Sequence, residues 1–218
     1  MENKFKDILV IGLGIFGYET AKQLAVEKLN VIVVDKNIKK VSMIKDFVSE
    51  ALVADASSEE VLKELSVDKY DVVIVGIGSS NFESLIMCIT YLKNLKAQKI
   101  IAKANNEIQK EILSKIGADE VILPEKEVAT KLARHIVKPN IVDFFYLAND
   151  STIATIKIPG KFINKTLKEI DLRNKYNINA VMIIRNNKSM MIKNPDLKFL
   201  DGDEIVVMGE EDAIKKIF

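Results

Sequence analysis

The sequence is poor in the residues that build covalent and metal-held frameworks. Cysteine occurs once, as Cys88, and histidine once, as His135. A single thiol excludes an intrachain disulfide framework and fits a reducing compartment. One cysteine and one histidine also leave no zinc-binding pattern. A surplus of either charge is missing: 32 Lys and Arg stand against 31 Asp and Glu, a formal net charge of +1. No broad basic field for nucleic acid or anionic lipid is therefore expected. Long apolar runs are absent too. Asp71-Val-Val-Ile-Val-Gly-Ile-Gly78 is of strand length, well short of the roughly 20 residues of a membrane span. The charged opening Met1-Glu-Asn-Lys-Phe-Lys-Asp7 lacks the apolar centre of a signal peptide, so a cytoplasmic protein is expected. Neither a Gly-x-Ser-x-Gly elbow nor a Walker lysine motif occurs.

What is present is an ordinary globular composition, 218 residues with 48% apolar and 29% charged side chains. That is enough for one large domain, or a medium one and a small one. The most informative stretch is Ile8-Leu-Val-Ile-Gly12-Leu-Gly14-Ile-Phe-Gly17, followed by Val31-Ile-Val-Val-Asp35. It reads as strand, glycine turn, helix, strand and carboxylate. Gly12 permits the sharp turn, Gly14 lets backbone amides approach a pyrophosphate, and Gly17 lets the helix settle on the sheet. The helix points its positive N-terminal end at the phosphates. Asp35 stands at the end of the next strand, where a carboxylate accepts hydrogen bonds from ribose hydroxyls.

Apolar runs at 7–11, 31–35, 51–54, 71–76, 99–103 and 120–123 alternate with helical patterns at 15–28, 37–47, 58–66, 80–95 and 105–116. This predicts an α/β, Rossmann-like doubly wound parallel sheet of order 3-2-1-4-5-6 over residues 1–123. Residues 124–148 read as a helix-turn-helix: Pro124 and Glu125 open it, Lys138-Pro139 breaks it, and Ile141-Val-Asp-Phe-Phe-Tyr-Leu147 forms an apolar second arm. Its apolar face must cover its own sheet or another subunit. Residues 149–218 predict a small α+β lobe, β-α-β-β-β-α, with a hairpin turn at Arg185-Asn-Asn-Lys-Ser189. A lobe of that size is marginal alone, so docking or dimerisation is expected.

Enzyme chemistry is hard to find. A dehydrogenase needs an acid or base facing the nicotinamide, and His135 belongs to the connecting helix. Tyr18 and Lys22 repeat a Tyr-x-x-x-Lys spacing, but inside the phosphate-binding helix, where they cannot face a nicotinamide. Cys88 lies on an apolar helix and reads as a buried small hydrophobe. A nucleotide site without attached chemistry suggests a sensor, whose ligand shifts a conformational equilibrium.

Taken together, Gly12-Leu-Gly14-Ile-Phe-Gly17, Asp35, Val73-Ile-Val-Gly-Ile-Gly78, Ala102-Lys103-Ala104, Ile116-Gly-Ala-Asp119, Pro124-Glu125-Lys126, Asp171-Leu-Arg173 and Asp201-Gly202-Asp203 resemble the regulator-of-K+-conductance (RCK) family. The likeness is to the single-copy cytoplasmic subunits of Ktr/Trk-type potassium uptake systems. It implies a homodimer formed through the crossover helix, a homo-octameric ring, and docking on a membrane potassium channel subunit at the inner face of the membrane. It implies gating by adenine nucleotide, ATP/ADP or NAD/NADH, and in some members by cyclic di-AMP at the C-lobes.

By the same resemblance, Gly12, Gly14, Ile15, Phe16 and Gly17 form the phosphate loop. Asp35 binds ribose beside Lys36, Asp55 and Ala56 contact adenine, Gly76 and Gly78 underlie the nucleotide, and Lys103 faces the phosphates. Glu125 is implied to help hold a divalent cation. Asp171 and Arg173, with Ile163, Ile170 and Ile178, are the candidate cyclic di-AMP cleft. One position departs from the pattern: ATP-responsive members carry arginine where this chain has Ile15. A missing charge-assisted bond of about 1.5–3 kcal/mol removes about one to two decades of γ-phosphate preference. Two other readings remain: a small NAD(P)-dependent oxidoreductase, against whose 2′-phosphate Asp35 argues while Lys36 leaves it open, and a Rossmann-core redox-sensing DNA-binding repressor, which the neutral charge opposes.

Overall fold

The computed structural model describes residues 6–78, 81–137, 140–147 and 151–217. The chain forms two compact units, Met1–Val128 and Ala129–Phe218.

In the first unit, strands β1 (Asp7–Ile11), β2 (Asn30–Asp35), β3 (Glu50–Val53), β4 (Val72–Val75), β5 (Ile100–Lys103) and β6 (Glu120–Ile122) form one parallel sheet of order β3-β2-β1-β4-β5-β6. The strands read as continuous apolar runs because both faces are covered. On one face Ile8, Val10, Val33 and Ile74 pack with Ala21 of α1 (Ile15–Val26) and Val41 of α2 (Ile38–Ile44). On the other, Leu9, Ile11, Val73 and Val75 meet Leu62 of α3 (Glu59–Glu64), Leu85 of α4 (Phe82–Asn94) and Leu113 of α5 (Glu107–Ile116). Each such side chain, taken out of water, contributes about 1.5–3 kcal/mol. The strand order reverses between β1 and β4. The loops after those two strands therefore diverge and leave a crevice at the carboxyl edge of the sheet.

Helix α6 (Pro124–Val137) opens on Pro124, with Glu125 and Glu127 in its first turn. Val128, Leu132 and Ile136 recur at i, i+4 and i+8 and are exposed. The segment Ile141–Leu147, expected as the second arm of a helix-turn-helix, is not helical. Ile141–Tyr146 is strand β7, antiparallel to β8 (Ser151–Lys157), with Phe144 opposite Ala154. β-Branched and aromatic residues suit a pleated surface, and β8 offers them a ladder. The expected break at Lys138-Pro139 and the boundary between 148 and 149 lie outside the described residues.

The second unit continues with α7 (Leu167–Ile170), α8 (Leu172–Tyr176), β9 (Asn179–Arg185), β10 (Lys188–Met191), β11 (Glu204–Glu210) and α9 (Glu211–Ile217). Its five-stranded antiparallel sheet has the order β10-β9-β11-β8-β7. Asn186 and Asn187 take positive φ, 51° and 58°, in the expected hairpin turn. Ile156, Phe162, Ile170, Leu172, Ile178, Ile183, Phe199 and Ile205 form the core. The Arg185 guanidinium meets the Asp203 carboxylate through two bonds, Nε–Oδ1 at 2.8 Å and Nη2–Oδ2 at 2.7 Å. The Asp203 side chain is only 1% exposed. Burial pushes its carboxyl up; the Arg185 bonds, the Leu200 amide and the Arg185 charge outweigh that and hold it below its ordinary value.

Candidate functional site

The glycine loop is built by close packing. Gly12 has φ +89°, and a Cβ there would lie 2.9 Å from the Gly76 carbonyl carbon. A Cβ on Gly17 would lie 2.0 Å from the Gly12 carbonyl oxygen, so only glycine lets α1 sit this close to the turn. Gly14 differs: it is the N-cap of α1 in extended conformation, and the nearest atom to a Cβ there is the Gly76 oxygen at 3.8 Å. The backbone around position 14 thus leaves room for a side chain. No side chain caps α1, so amides of its first turn are available to an anion.

Asp35 fastens this loop. Its Oδ2 accepts from the Leu13 amide at 2.6 Å and its Oδ1 from the Asn37 amide at 2.8 Å. Lys40 Nζ lies 3.5 Å from Oδ2. A carboxylate has about four acceptor positions, so both oxygens retain capacity for ribose hydroxyls. Asp55 Oδ1 accepts from the Ser57 hydroxyl at 2.7 Å and the Ser57 amide at 3.0 Å. The Ser57 hydroxyl, then the Ser57 amide, hold the Asp55 carboxyl below its ordinary value; burial opposes this, and Lys36 adds to it.

These residues border one open cleft of about 610 Å3, part of it continuous with solvent. Of the positions singled out from the sequence, Gly12, Gly14, Asp35, Lys36, Asp55, Ala56, Gly76 and Gly78 line it. Ile15, 89% exposed, stands outside the lining, while Phe16 packs toward the core beneath it. Gly17 shapes the turn from below. The lining also includes Lys40, Ala54, Ile77, Asn81 and Ser84, which the sequence reading missed. Lys40 lies five residues beyond Asp35, and Asn81 and Ser84 sit three apart at the start of α4. No motif marks them; their proximity to glycine-ended strands is the only signal.

Lys103 does not line the cleft. Its ammonium donates to Glu125 Oε1 at 2.5 Å, and this bond, first among its influences, holds the Glu125 carboxyl below its ordinary value. The cation expected at Glu125 thus has a competitor already in place. Among the described residues, no group of three or more His, Cys, Asp or Glu is placed to hold a metal ion.

In the second unit the residues expected to meet a cyclic dinucleotide divide between core and surface. Ile170 and Ile178 are 5% and 0% exposed and belong to the core, against which Ile163 packs. Asp171 accepts from the Asn174 side chain at 2.7 Å instead of pairing with Arg173. Ile170 and Ile178 stabilise the lobe from within its core.

Other candidates for chemistry are occupied elsewhere. Burial pushes the Cys88 thiol up to about 12. The Tyr18 hydroxyl donates to the Met43 carbonyl at 3.4 Å, and Lys22 lies over the Phe47 ring at 4.8 Å. His135 Nδ1 lies 3.4 Å from the Ile141 carbonyl oxygen. Among the described residues, no helix is long and apolar enough to cross a membrane.

A six-stranded parallel sheet with a glycine-loop cleft, joined to a small antiparallel lobe, defines a two-lobed protein of the RCK architecture. The family models agree with this division: TrkA-N domain matches residues 8–124 and TrkA-C domain matches residues 152–218. The chain is 34% identical over 203 residues to Ktr system potassium uptake protein C of Bacillus subtilis, covering 93% of this chain and 91% of that one. It is 31% identical over 217 residues to Ktr system potassium uptake protein A of Vibrio alginolyticus, covering 98% and 97%. Among solved structures, the GsuK channel bound to NAD aligns with TM-score 0.64 at 15% identity. That alignment covers 98% of this chain and 39% of the channel's, so the chain spans less than half of that protein. This chain therefore belongs to the TrkA family of potassium uptake proteins.

Proposed function

We propose that the chain is a nucleotide-sensing, non-enzymatic regulatory subunit of a potassium uptake system, acting on a separate membrane subunit from the cytoplasmic side. The observation that carries this reading is the cleft itself: uncapped helix amides over a glycine turn, with the Asp35 carboxylate fixed at the end of β2. Among the described residues its lining holds no histidine, cysteine or tyrosine, and the carboxylates of Asp35 and Asp55 are engaged by the Leu13, Asn37 and Ser57 groups. A ligand held this way acts by favouring one conformation over another. The names of the Ktr relatives support the potassium-uptake setting.

Assembly belongs to the same proposal. The exposed Val128, Leu132 and Ile136 row on α6 suits pairing with a second copy, and dimers of that kind build the octameric ring expected of the family. For the second unit, Asp171, Arg173 and Ile163 stay the candidate contacts of a cyclic dinucleotide, while Ile170 and Ile178 lie in its core.

The test combines calorimetry against ADP, ATP and NADH with mass measurement by light scattering. An adenine nucleotide should bind an oligomer, and Asp35→Ala should weaken binding by about 1–3 kcal/mol. A monomer that binds none of the three, or an Asp35→Ala variant with unchanged affinity, overturns the reading.

A further inference from the structure

We propose that the outer face of α1 and α2 docks on an anionic lipid surface, with Val26, Met43 and Phe47 entering the acyl boundary and Lys22, Lys39 and Lys45 meeting headgroup phosphates. None of these residues lines the nucleotide cleft, so the face is distinct from that site.

The face is assembled from two rows of side chains. On α1, Tyr18, Lys22 and Val26 recur at four-residue spacing along one side of the helix. On α2, Lys39 and Met43 do the same, and Phe47 continues the row in the turn beyond the helix. Two contacts hold the rows side by side. The Tyr18 hydroxyl donates to the Met43 carbonyl, and the Lys22 ammonium lies over the Phe47 ring. The helices meet the sheet with their other sides, through Gly17 and Ala21 of α1 and Val41 and Ile44 of α2.

The solvent side of a surface helix normally carries polar side chains. Here Val26 and Met43 are each 66% exposed, and Phe47 is 50% exposed. Side chains this open stand out from the surface. They do not wall a groove, which a partner helix would need for its apolar face. Protruding apolar groups among lysines suit the boundary between headgroups and acyl chains, where lysine stems reach back to the phosphates.

The near-neutral total of the chain conceals a local excess of positive charge. Residues 36–47 contain four lysines and a single acid, Asp46. On α1, Glu19 and Glu27 offset Lys22 and the following Lys28, so the excess resides in α2. Lys39 and Lys40 fall in the first turn of α2, where the helix dipole favours acids and none is present. Lys40 is engaged by Asp35. Lys22, Lys39 and Lys45 have no carboxylate partner among the described residues. The same charges oppose a second copy as the occupant, because a two-fold contact of this face with itself sets lysines against lysines.

The test is co-sedimentation of the full chain with vesicles of phosphatidylcholine alone and of phosphatidylcholine mixed with phosphatidylglycerol, with mass measured by light scattering. The chain should sediment with the mixed vesicles only, and added salt should release it. Lys39→Ala/Lys45→Ala should lose at least about tenfold in affinity, since each lysine near an anionic surface contributes about fivefold. Met43→Ser/Phe47→Ser should also lose about tenfold or more. If that variant does not fold, Val26→Ser must show a loss of about threefold or more. Absence of binding to the mixed vesicles, equal binding to phosphatidylcholine alone, or native affinity in the variants overturns the assignment. A fall in oligomer mass in the lysine variant also overturns it, because the face then joins copies of the chain. The nucleotide reading of the cleft survives each of these outcomes.

Discussion

Two glycines of one loop, three residues apart, should fail in opposite ways when given a methyl group. In Gly17→Ala the new carbon would lie 2.0 Å from the Gly12 carbonyl oxygen, 3.1 Å from the Gly12 carbonyl carbon and 3.6 Å from Val10 Cγ1. The first contact is with backbone, so no side-chain rotation relieves it; α1 must withdraw from the turn by roughly 1 Å or more. Overpacking of this kind costs about 1–3 kcal/mol, with backbone obstacles at the upper end. For a unit of this size that corresponds to a fall in Tm of roughly 5–12 °C. In Gly14→Ala the nearest atom is 3.8 Å away and the backbone is extended. The expected cost is the few tenths to 1 kcal/mol of a poorer N-cap. The methyl instead occupies space needed by a pyrophosphate. The assay pairs thermal unfolding of the ligand-free chain with calorimetry against ADP and NADH. Gly17→Ala should lower Tm strongly. Gly14→Ala should nearly keep Tm and lose at least about tenfold in affinity. A Gly14→Ala variant that binds normally, or that unfolds as early as Gly17→Ala, refutes this account of the loop.

Two further predictions concern the second unit. Arg185→Met leaves the buried Asp203 carboxylate without its partner and should cost about 2–4 kcal/mol at neutral pH, somewhat under a fully buried pair because Arg185 is 25% exposed. The Asp203 carboxyl is held below its ordinary value in the folded chain. Its stabilisation is therefore complete above the unfolded carboxyl value of about 3.9 and lost as pH falls through the folded one. Urea titrations from about pH 5 downward should show this loss in the native chain and a smaller one in Arg185→Met; identical slopes would contradict it. The Thr152 hydroxyl is buried without a hydrogen-bond partner, so Thr152→Val should stabilise by about 1 kcal/mol in urea unfolding, and a clear loss would reveal a partner for that oxygen.

The parallel sheet was legible because its signals are local. Apolar runs such as Val72–Val75 are buried on both faces, and the glycine turn after β1 leaves few alternatives for strand order. β7 was misread because Ile141–Tyr146 is too short for periodicity to separate strand from helix. Its partner β8 decides the matter. The glycine turn and Asp35 could be located from spacing, at the ends of β1 and β2, whereas Asp55 came from the family resemblance. Asn81, Ser84 and Lys40 could not, because helix starts carry no mark of the crevice they border. Lys103 was assigned to phosphate by the family resemblance, and in the structure its ammonium pairs with Glu125, a contact that no spacing in the sequence announces. Ile170 and Ile178 looked like pocket walls because an apolar residue reads the same whether it meets a purine or another isoleucine.

The bond from the Leu13 amide to Asp35 decides where a signal can originate. A loop tied in this way has little freedom left to lose where a ligand meets it. Under the proposed function, movement would begin elsewhere, at the leading amides of α1 and the Asn81 side chain, which makes no capping bond. On that proposal, holding and responding would fall to separate parts of one crevice, so that either could be altered without dismantling the other.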